Sequence, residues 1–347
     1  MRVLLALVLS ALPLAARAVL PEQIPVLAKT GPNAPFEKLN YQLRPAKKPW
    51  RICVVLPNVM DSYWWTVSYA LWLAEKELKV DLTIEDAGGY THLDAQKLAL
   101  KRCKTNGAQA ALVASISQSG LSAEINELLG AGIRVFDLIN GLKHSRISGR
   151  SATDFKTILA TLVGEVNARE RTPKRKTRLA FFPGPKGAQW VEQSLLGLNE
   201  TLAKDAFELK VTDYGATEVV AQAEIAENFF RLNAADVVLG NAVAVEFIAN
   251  KYQQKLRAIY STYLTEAIIQ YIQNGRVKAA VTEFPMFQTL LAVDLAVRDL
   301  EGERKYFELS TIPQIVTKDY LATDPPWLMH PKSFRYYLKR KFTNPAR

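Results

Sequence analysis

The chain has 347 residues, 49% of them hydrophobic, and its 44 lysines and arginines against 34 acids give a formal charge of +10. That length exceeds one simple core and suits two lobes of about 150 residues each. The bases are scattered except at Lys174-Arg175-Lys176 and Arg335 to Lys341. With no zinc finger and no basic region with heptads, this is a solvated surface and nucleic acid is excluded as the expected partner.

Met1 and Arg2 precede an apolar run from Val3 to Leu9, Pro13 breaks it, and Ala16-Arg17-Ala18 offers the small residues a signal peptidase reads. The run is shorter than the roughly 20 residues that cross a bilayer. Residues 1–18 are therefore expected to be a cleaved signal peptide, which makes the protein periplasmic. Cleavage after Ala18 leaves 329 of the 347 residues and a charge of +8, because Arg2 and Arg17 leave with the signal. No later segment stays apolar long enough to span a bilayer.

Residues 19–48 carry Pro21, Pro25, Pro32, Pro35 and Pro45 with little periodicity and are expected to be an extended lead-in. From Trp50 the pattern changes. Ile52 to Leu56 is a short apolar run, as a strand buried on both faces requires, and Val67, Ala70, Leu71, Ala74 and Leu78 then recur at helical spacing. Strands are predicted at Leu82 to Glu85, Ala110 to Ala114 and Val135 to Ile139, with helices over Leu93 to Cys103 and Leu121 to Leu129. A crossing is expected within Lys143 to Thr157, after which the alternation starts again. Strands at Arg178 to Phe182, Leu209 to Thr212, Val237 to Leu239, Ala258 to Tyr260 and Lys278 to Val281 alternate with helices that include Trp190 to Leu202, Ile225 to Phe230 and Ala267 to Gln273. A long helix over Met286 to Leu300 and a late strand near Ile312 to Val316 complete the chain.

Strands alternating with helices imply βαβ units and parallel sheets. The expected fold is α/β, with two doubly wound lobes joined by a three-stranded hinge, the architecture of type I periplasmic binding proteins. The first lobe takes residues 49–148 and 284–308, and the second takes 149–283 and 309–347 with the basic tail. Ligands in such folds sit between the carboxyl ends of the two sheets, so the loops after strands carry the site.

After the first of these strands, Asp61-Ser62-Tyr63-Trp64-Trp65 crowds an acid and three aromatics onto a strand-to-helix turn, where Asp61 or Ser62 also suits a helix cap. After the second, Gly88-Gly89 allows a tight turn that brings Tyr90 over the cleft. Ser115-Ile116-Ser117 follows the third, and Ser117 is a candidate for ligand binding or for capping. Ser261-Thr262-Tyr263 follows a strand of the second lobe, and Glu283 falls at a crossing, where it suits either a hinge or the ligand. Aromatic faces with few charges suit a methylated ammonium-like head, because ring faces attract positive charge; stacking on a sugar is the competing use. Cys53 and Cys103 are the only cysteines, a candidate disulfide in an oxidising compartment unless both stay as buried thiols.

Ile52 to Pro57 followed by Asp61 to Trp64, then Glu85 to Tyr90, Cys103, Phe182 to Pro185, Tyr263-Leu264 and Gly275 to Val277 resemble the TorT family of the trimethylamine N-oxide respiration system. The likeness runs from about Trp50 to Val316. It implies a binding protein without an attached permease that binds trimethylamine N-oxide and acts on a TorS-like sensor histidine kinase. By this resemblance Asp61, Tyr63, Trp64, Tyr90 and Tyr263 contact the ligand. Where the family has a tryptophan just after the first crossing, this chain reads Gly149-Arg150-Ser151-Ala152, with Phe155 nearby but not in the same place. The loss of one wall weakens cation–π recognition, so the sensing role carries over more firmly than the ligand. The alternative is a receptor delivering a sugar or amine to an ABC transporter. The only histidines, His92, His144 and His330, have no metal-ligand spacing, and no GxSxG elbow is present. No cofactor and no catalysis are expected.

Overall fold

The computed structural model describes residues 20–325 and 327–343, and the expected signal peptide, residues 1–18, lies outside the described residues. In chain order the first lobe is built from β1 (Ile24–Lys29), β2 (Glu37–Tyr41), β3 (Arg51–Leu56), α1 (Ser62–Glu77), β4 (Asp81–Asp86), α2 (Leu93–Thr105), β5 (Ala110–Val113), α3 (Ser122–Gly130), β6 (Arg134–Leu138) and β7 (Gly149–Ser151). The second lobe follows with α4 (Phe155–Arg169), β8 (Thr177–Phe182), α5 (Gln189–Thr201), β9 (Phe207–Val211), α6 (Val219–Leu232), β10 (Val237–Gly240), α7 (Ala242–Lys251), β11 (Ala258–Ser261), α8 (Glu266–Gln273) and β12 (Ala279–Thr282). Helix α9 (Pro285–Leu300) and β13 (Glu308–Thr311) return to the first lobe, and β14 (Gln314–Val316) and α10 (Lys318–Ala322) to the second.

The first sheet has the order β2-β1-β13-β7-β6-β5-β3-β4 and the second β14-β12-β11-β10-β8-β9. Both are parallel except at one edge, where β1 and β2, and in the other sheet β14, run antiparallel. Strand β3 explains why the central strands read as unbroken apolar runs. Ile52 to Leu56 are all buried, because helices cover both faces. Each such aliphatic side chain contributes about 1.5–3 kcal/mol of burial. Cys53 in β3 and Cys103 in α2 form a disulfide, with Cα atoms 5.5 Å apart, tying that helix to the sheet.

Four expectations of organisation are corrected. The lead-in, residues 19–48, is not merely extended: Ile24, Val26 and Ala28 alternate inward and β1 pairs with both β2 and β13, so the first sheet begins there. The boundary between residues 148 and 149 falls too early, because β7 hydrogen-bonds in parallel to β6 within the first sheet. The first lobe likewise runs past residue 308, because β13 continues it to Thr311. The basic tail does not simply extend the second lobe. Leu328 packs in the second lobe, whereas Phe334, Tyr337 and Leu338 pack on the first. There the Ile84 amide donates to the Lys339 carbonyl at 2.6 Å, and Lys339 Nζ lies 2.8 Å from Asp81.

The three crossings lie at residues 152–154, 283–284 and 312–313, between the elements named above. They are knotted together by hydroxyls. Thr153 Oγ1 and Thr311 Oγ1 are 2.8 Å apart, Gln288 Nε2 donates to Thr153 Oγ1 at 2.6 Å, and Thr311 Oγ1 donates to the Glu283 carbonyl. Phe284 has φ 54°, a left-handed conformation that is costly for an aromatic residue, just ahead of Pro285 at the first turn of α9.

Candidate functional site: the cleft between the lobes

A cavity of about 570 Å³, counted with its mouth, lies between the two sheets. Its walls come from the segments that follow β3, β4, β6, β7, β8, β9, β11 and β12, the carboxyl ends of parallel strands. Asp61 opens α1 as its N-cap, and its Oδ1 accepts from the Trp64 amide at 3.1 Å. That cap aims Tyr63 and Trp64, in the first turn of the helix, into the cleft. The β4 loop turns through Gly88 (φ 85°) and Gly89 (φ 146°), conformations that favour glycine, and so delivers Tyr90. Asn140 Nδ2 donates to the Tyr90 hydroxyl at 3.0 Å, held there by Ile139 at φ 64°. A β-branched residue in that region is strained, and the strain sits at the cavity wall.

The rings form a cage. Tyr63 meets Trp64 at 5.3 Å between centroids and Tyr263 at 5.5 Å, while Trp190 lies 6.5 Å from both Tyr90 and Tyr263. The Tyr63–Tyr263 and Tyr90–Trp190 contacts cross from lobe to lobe, as does the bond from the Glu266 amide to Ser62 Oγ at 2.9 Å. The cleft is closed.

Among the described residues that line the cavity none is Lys, Arg or His, whereas Asp61 and Glu283 both are there. Burial pushes the Asp61 carboxyl up to about 6, against the pull of the Trp64 and Tyr63 amides; the surface Asp61 keeps faces the cavity. Burial also raises Glu283, although the Tyr63 hydroxyl donates to its Oε1 at 2.6 Å. Behind the cage Glu246 is pushed up to about 7 by burial, with Thr265 opposing and Asp61 adding. The phenols of Tyr63 and Tyr263 rise well above their ordinary value by burial and the neighbouring carboxylates, and so stay protonated. Two buried polar atoms of the wall have no hydrogen-bond partner at good geometry, Trp190 Nε1 and Thr262 Oγ1. The Trp190 N–H acts on the Tyr90 hydroxyl without closing a bond. Such atoms are costly to bury unless a ligand satisfies them.

Of the sequence candidates, Asp61, Tyr63, Trp64, Tyr90, Tyr263 and Glu283 line one cavity. Ser117 does not. Its Oγ accepts from the Gly120 amide at 3.2 Å and its carbonyl from Ser115, so it shapes the turn before α3. Reading the sequence placed Trp190 at a helix start after a glycine-rich loop, and Phe155 nearby, without assigning either to the wall, and it missed Asn140 and Ile139. The usable signal for Trp190 was its position: it follows the glycine-rich loop after β8, the place equivalent to Tyr63-Trp64 in the other lobe.

The family described as periplasmic binding protein domain matches residues 52–304. The periplasmic protein TorT of Escherichia coli K12 is 25% identical over 266 residues, 74% of this chain and 75% of that protein. A solute-binding protein of an ABC transporter from Bradyrhizobium sp. BTAi1, solved with bound bis-tris, is 27% identical with a TM-score of 0.78, over 93% of this chain and 99% of that one. A chain of the complex between the TorS sensor domain and TorT, solved in the presence of TMAO, has a TM-score of 0.75 at 20% identity, over 84% and 100%. Its likeness shows the fold. With more than half its length matched and its two-lobed sheets in place, the chain belongs to the periplasmic binding protein domain family and is related to TorT and to transporter solute-binding proteins.

Proposed function

We propose that this chain is a periplasmic sensory protein that captures trimethylamine N-oxide, or a related small amine or N-oxide, and signals to the periplasmic domain of a TorS-like histidine kinase. One observation carries the reading: Tyr63, Trp64, Tyr90, Trp190 and Tyr263 enclose a cavity between the lobes with Asp61 in its wall. Ring faces attract a methylated ammonium head at roughly 0.5–2 kcal/mol per contact. The chain captures and releases without chemistry, and needs no cofactor. Signalling follows if the ligand favours the closed lobes over the open ones, because only differential affinity shifts the population. The relation to TorT supports the kinase as partner.

A second reading, delivery of an amine or sugar to an ABC transporter, is favoured by the 27% identity to a solute-binding protein that carries bis-tris, itself a tertiary amine. The two separate by partner. Purified protein should be retained by an immobilised TorS-like sensor domain, with retention that changes on adding trimethylamine N-oxide. No retention with or without the ligand, alongside stimulation of a permease's ATPase, would establish the transport reading instead.

A further inference from the structure

The cage carries more negative charge than a neutral ligand needs. Asp61 caps a helix from the first lobe, and Glu283 stands at the second crossing, yet both face the same cavity. Neither carboxylate has a basic side chain within ion-pair distance among the described residues, although arginines and lysines elsewhere pair with acids at 19 such contacts, from Lys29–Glu308 to Lys339–Asp81. Glu246 adds a third acid behind Tyr263. A buried carboxylate without a counter-ion is costly, and a bound cation is what relieves it. The remaining feature is the opposite in kind: Trp190 Nε1 is a buried donor whose neighbour, the Tyr90 hydroxyl, gives it no hydrogen bond at good geometry, and Thr262 Oγ1 beside the same cavity is also without one.

Deepening the small-amine reading and resting on it, we propose that the cleft selects a small organic cation, a quaternary or protonated tertiary amine carrying one hydroxyl, over the net-neutral N-oxide. Asp61 and Glu283 serve as its counter-ions, the rings of Tyr63, Trp64, Tyr90 and Tyr263 surround its methyl groups, and Trp190 and Thr262 meet its oxygen. Trp190 is then a specificity-determining wall contributed by the second lobe. The N-oxide satisfies the rings and the donor, but its own oxyanion cancels the charge that the two carboxylates seek.

The test compares three ligands of similar head-group shape in a buffer free of amines: choline, its carbon isostere 3,3-dimethylbutan-1-ol, and trimethylamine N-oxide. Equilibrium dialysis with labelled choline, and competition by the other two, gives the ratios. Choline should bind at least tenfold more tightly than either. Glu283→Gln keeps an acceptor for the Tyr63 hydroxyl, and Asp61→Asn keeps the helix cap, so both are expected to fold. Each should weaken choline at least tenfold and leave the neutral isostere unchanged. Binding of the N-oxide at or above the affinity of choline, insensitive to either substitution, overturns the inference while leaving the small-amine reading intact. Failure of all three ligands to bind removes the cage reading itself, and the inference with it.

Discussion

Replacing Asp61 with Asn should stabilise the empty protein at neutral pH while damaging what it does. The carboxyl is raised from an ordinary 3.8 to about 6, chiefly by burial. Because the folded state holds the proton more tightly, the stability tied to this group is fully present below about pH 4 and is lost as pH rises through about 6. The rise from 3.8 to about 6 corresponds to about 3 kcal/mol in full, of which about 2 kcal/mol falls between about pH 4.5 and 7.5. Asn keeps the bond from the Trp64 amide, since it caps helices about as well as Asp, but has no charge to desolvate. Denaturant unfolding of wild type and Asp61→Asn at those two pH values reads the effect: Glu283, also raised by burial, is present in both proteins, and loss of the Asp61 charge beside Glu246 acts in the same direction. The variant should gain on wild type by about 2 kcal/mol more at pH 7.5 than at 4.5. Equal differences at the two pH values would refute a buried, unpaired Asp61 in the empty cleft.

The helix that carries Trp190 can be tested at a distance. A Cβ on Gly197 would stand 2.3 Å from the Lys156 carbonyl oxygen of α4. Gly197→Ala should therefore cost about 1–3 kcal/mol and weaken ligand binding by tilting α5. Gly164→Ala, in α4 with nothing within 4 Å of the added atom, should instead raise stability by roughly 0.5–1 kcal/mol, and the two melting temperatures should move in opposite directions. Cys53→Ala with Cys103→Ala opens a loop closed over 50 residues of sequence separation, a loss of about 4 kcal/mol on the chain-entropy account; unfolding with and without reductant measures it. Lys339→Met removes the cation beside Glu75 and Asp81 and should raise hydrogen exchange at the Ile84 amide, which bonds to the Lys339 carbonyl.

The alternation of apolar runs with helical spacing was enough to read the two parallel sheets, because strands buried on both faces leave no ambiguity of face. Short edge elements were not legible. Strand β7 has three residues, and the prolines of the lead-in hid the inward alternation of Ile24, Val26 and Ala28. The tail was read as a charged end, since its attachment depends on Glu75 and Asp81, more than 250 residues earlier. At the site, residues next to a strand-to-helix turn were legible because the turn direction follows from the fold. Trp190 was legible only by analogy with the strand-to-helix turn of the other lobe, and Asn140 sits in the loop after β6, whose bonds to the Tyr90 hydroxyl and the Ser115 carbonyl no local pattern encodes. Ser117 was left open between ligand and cap because a serine before a helix serves either, and here it serves the turn.

Binding of a methylated amine or its N-oxide in the cage between the lobes, as proposed, is open to direct measurement. The direct measurement is titration calorimetry of the mature protein with trimethylamine N-oxide, trimethylamine, betaine and choline, repeated on Trp64→Ala and on Tyr263→Leu, the less buried of the two sites. At least one of these ligands should bind the wild type with micromolar affinity, and both variants should lose it. Absence of heat with every methylated ligand, or binding that survives both substitutions, would contradict it.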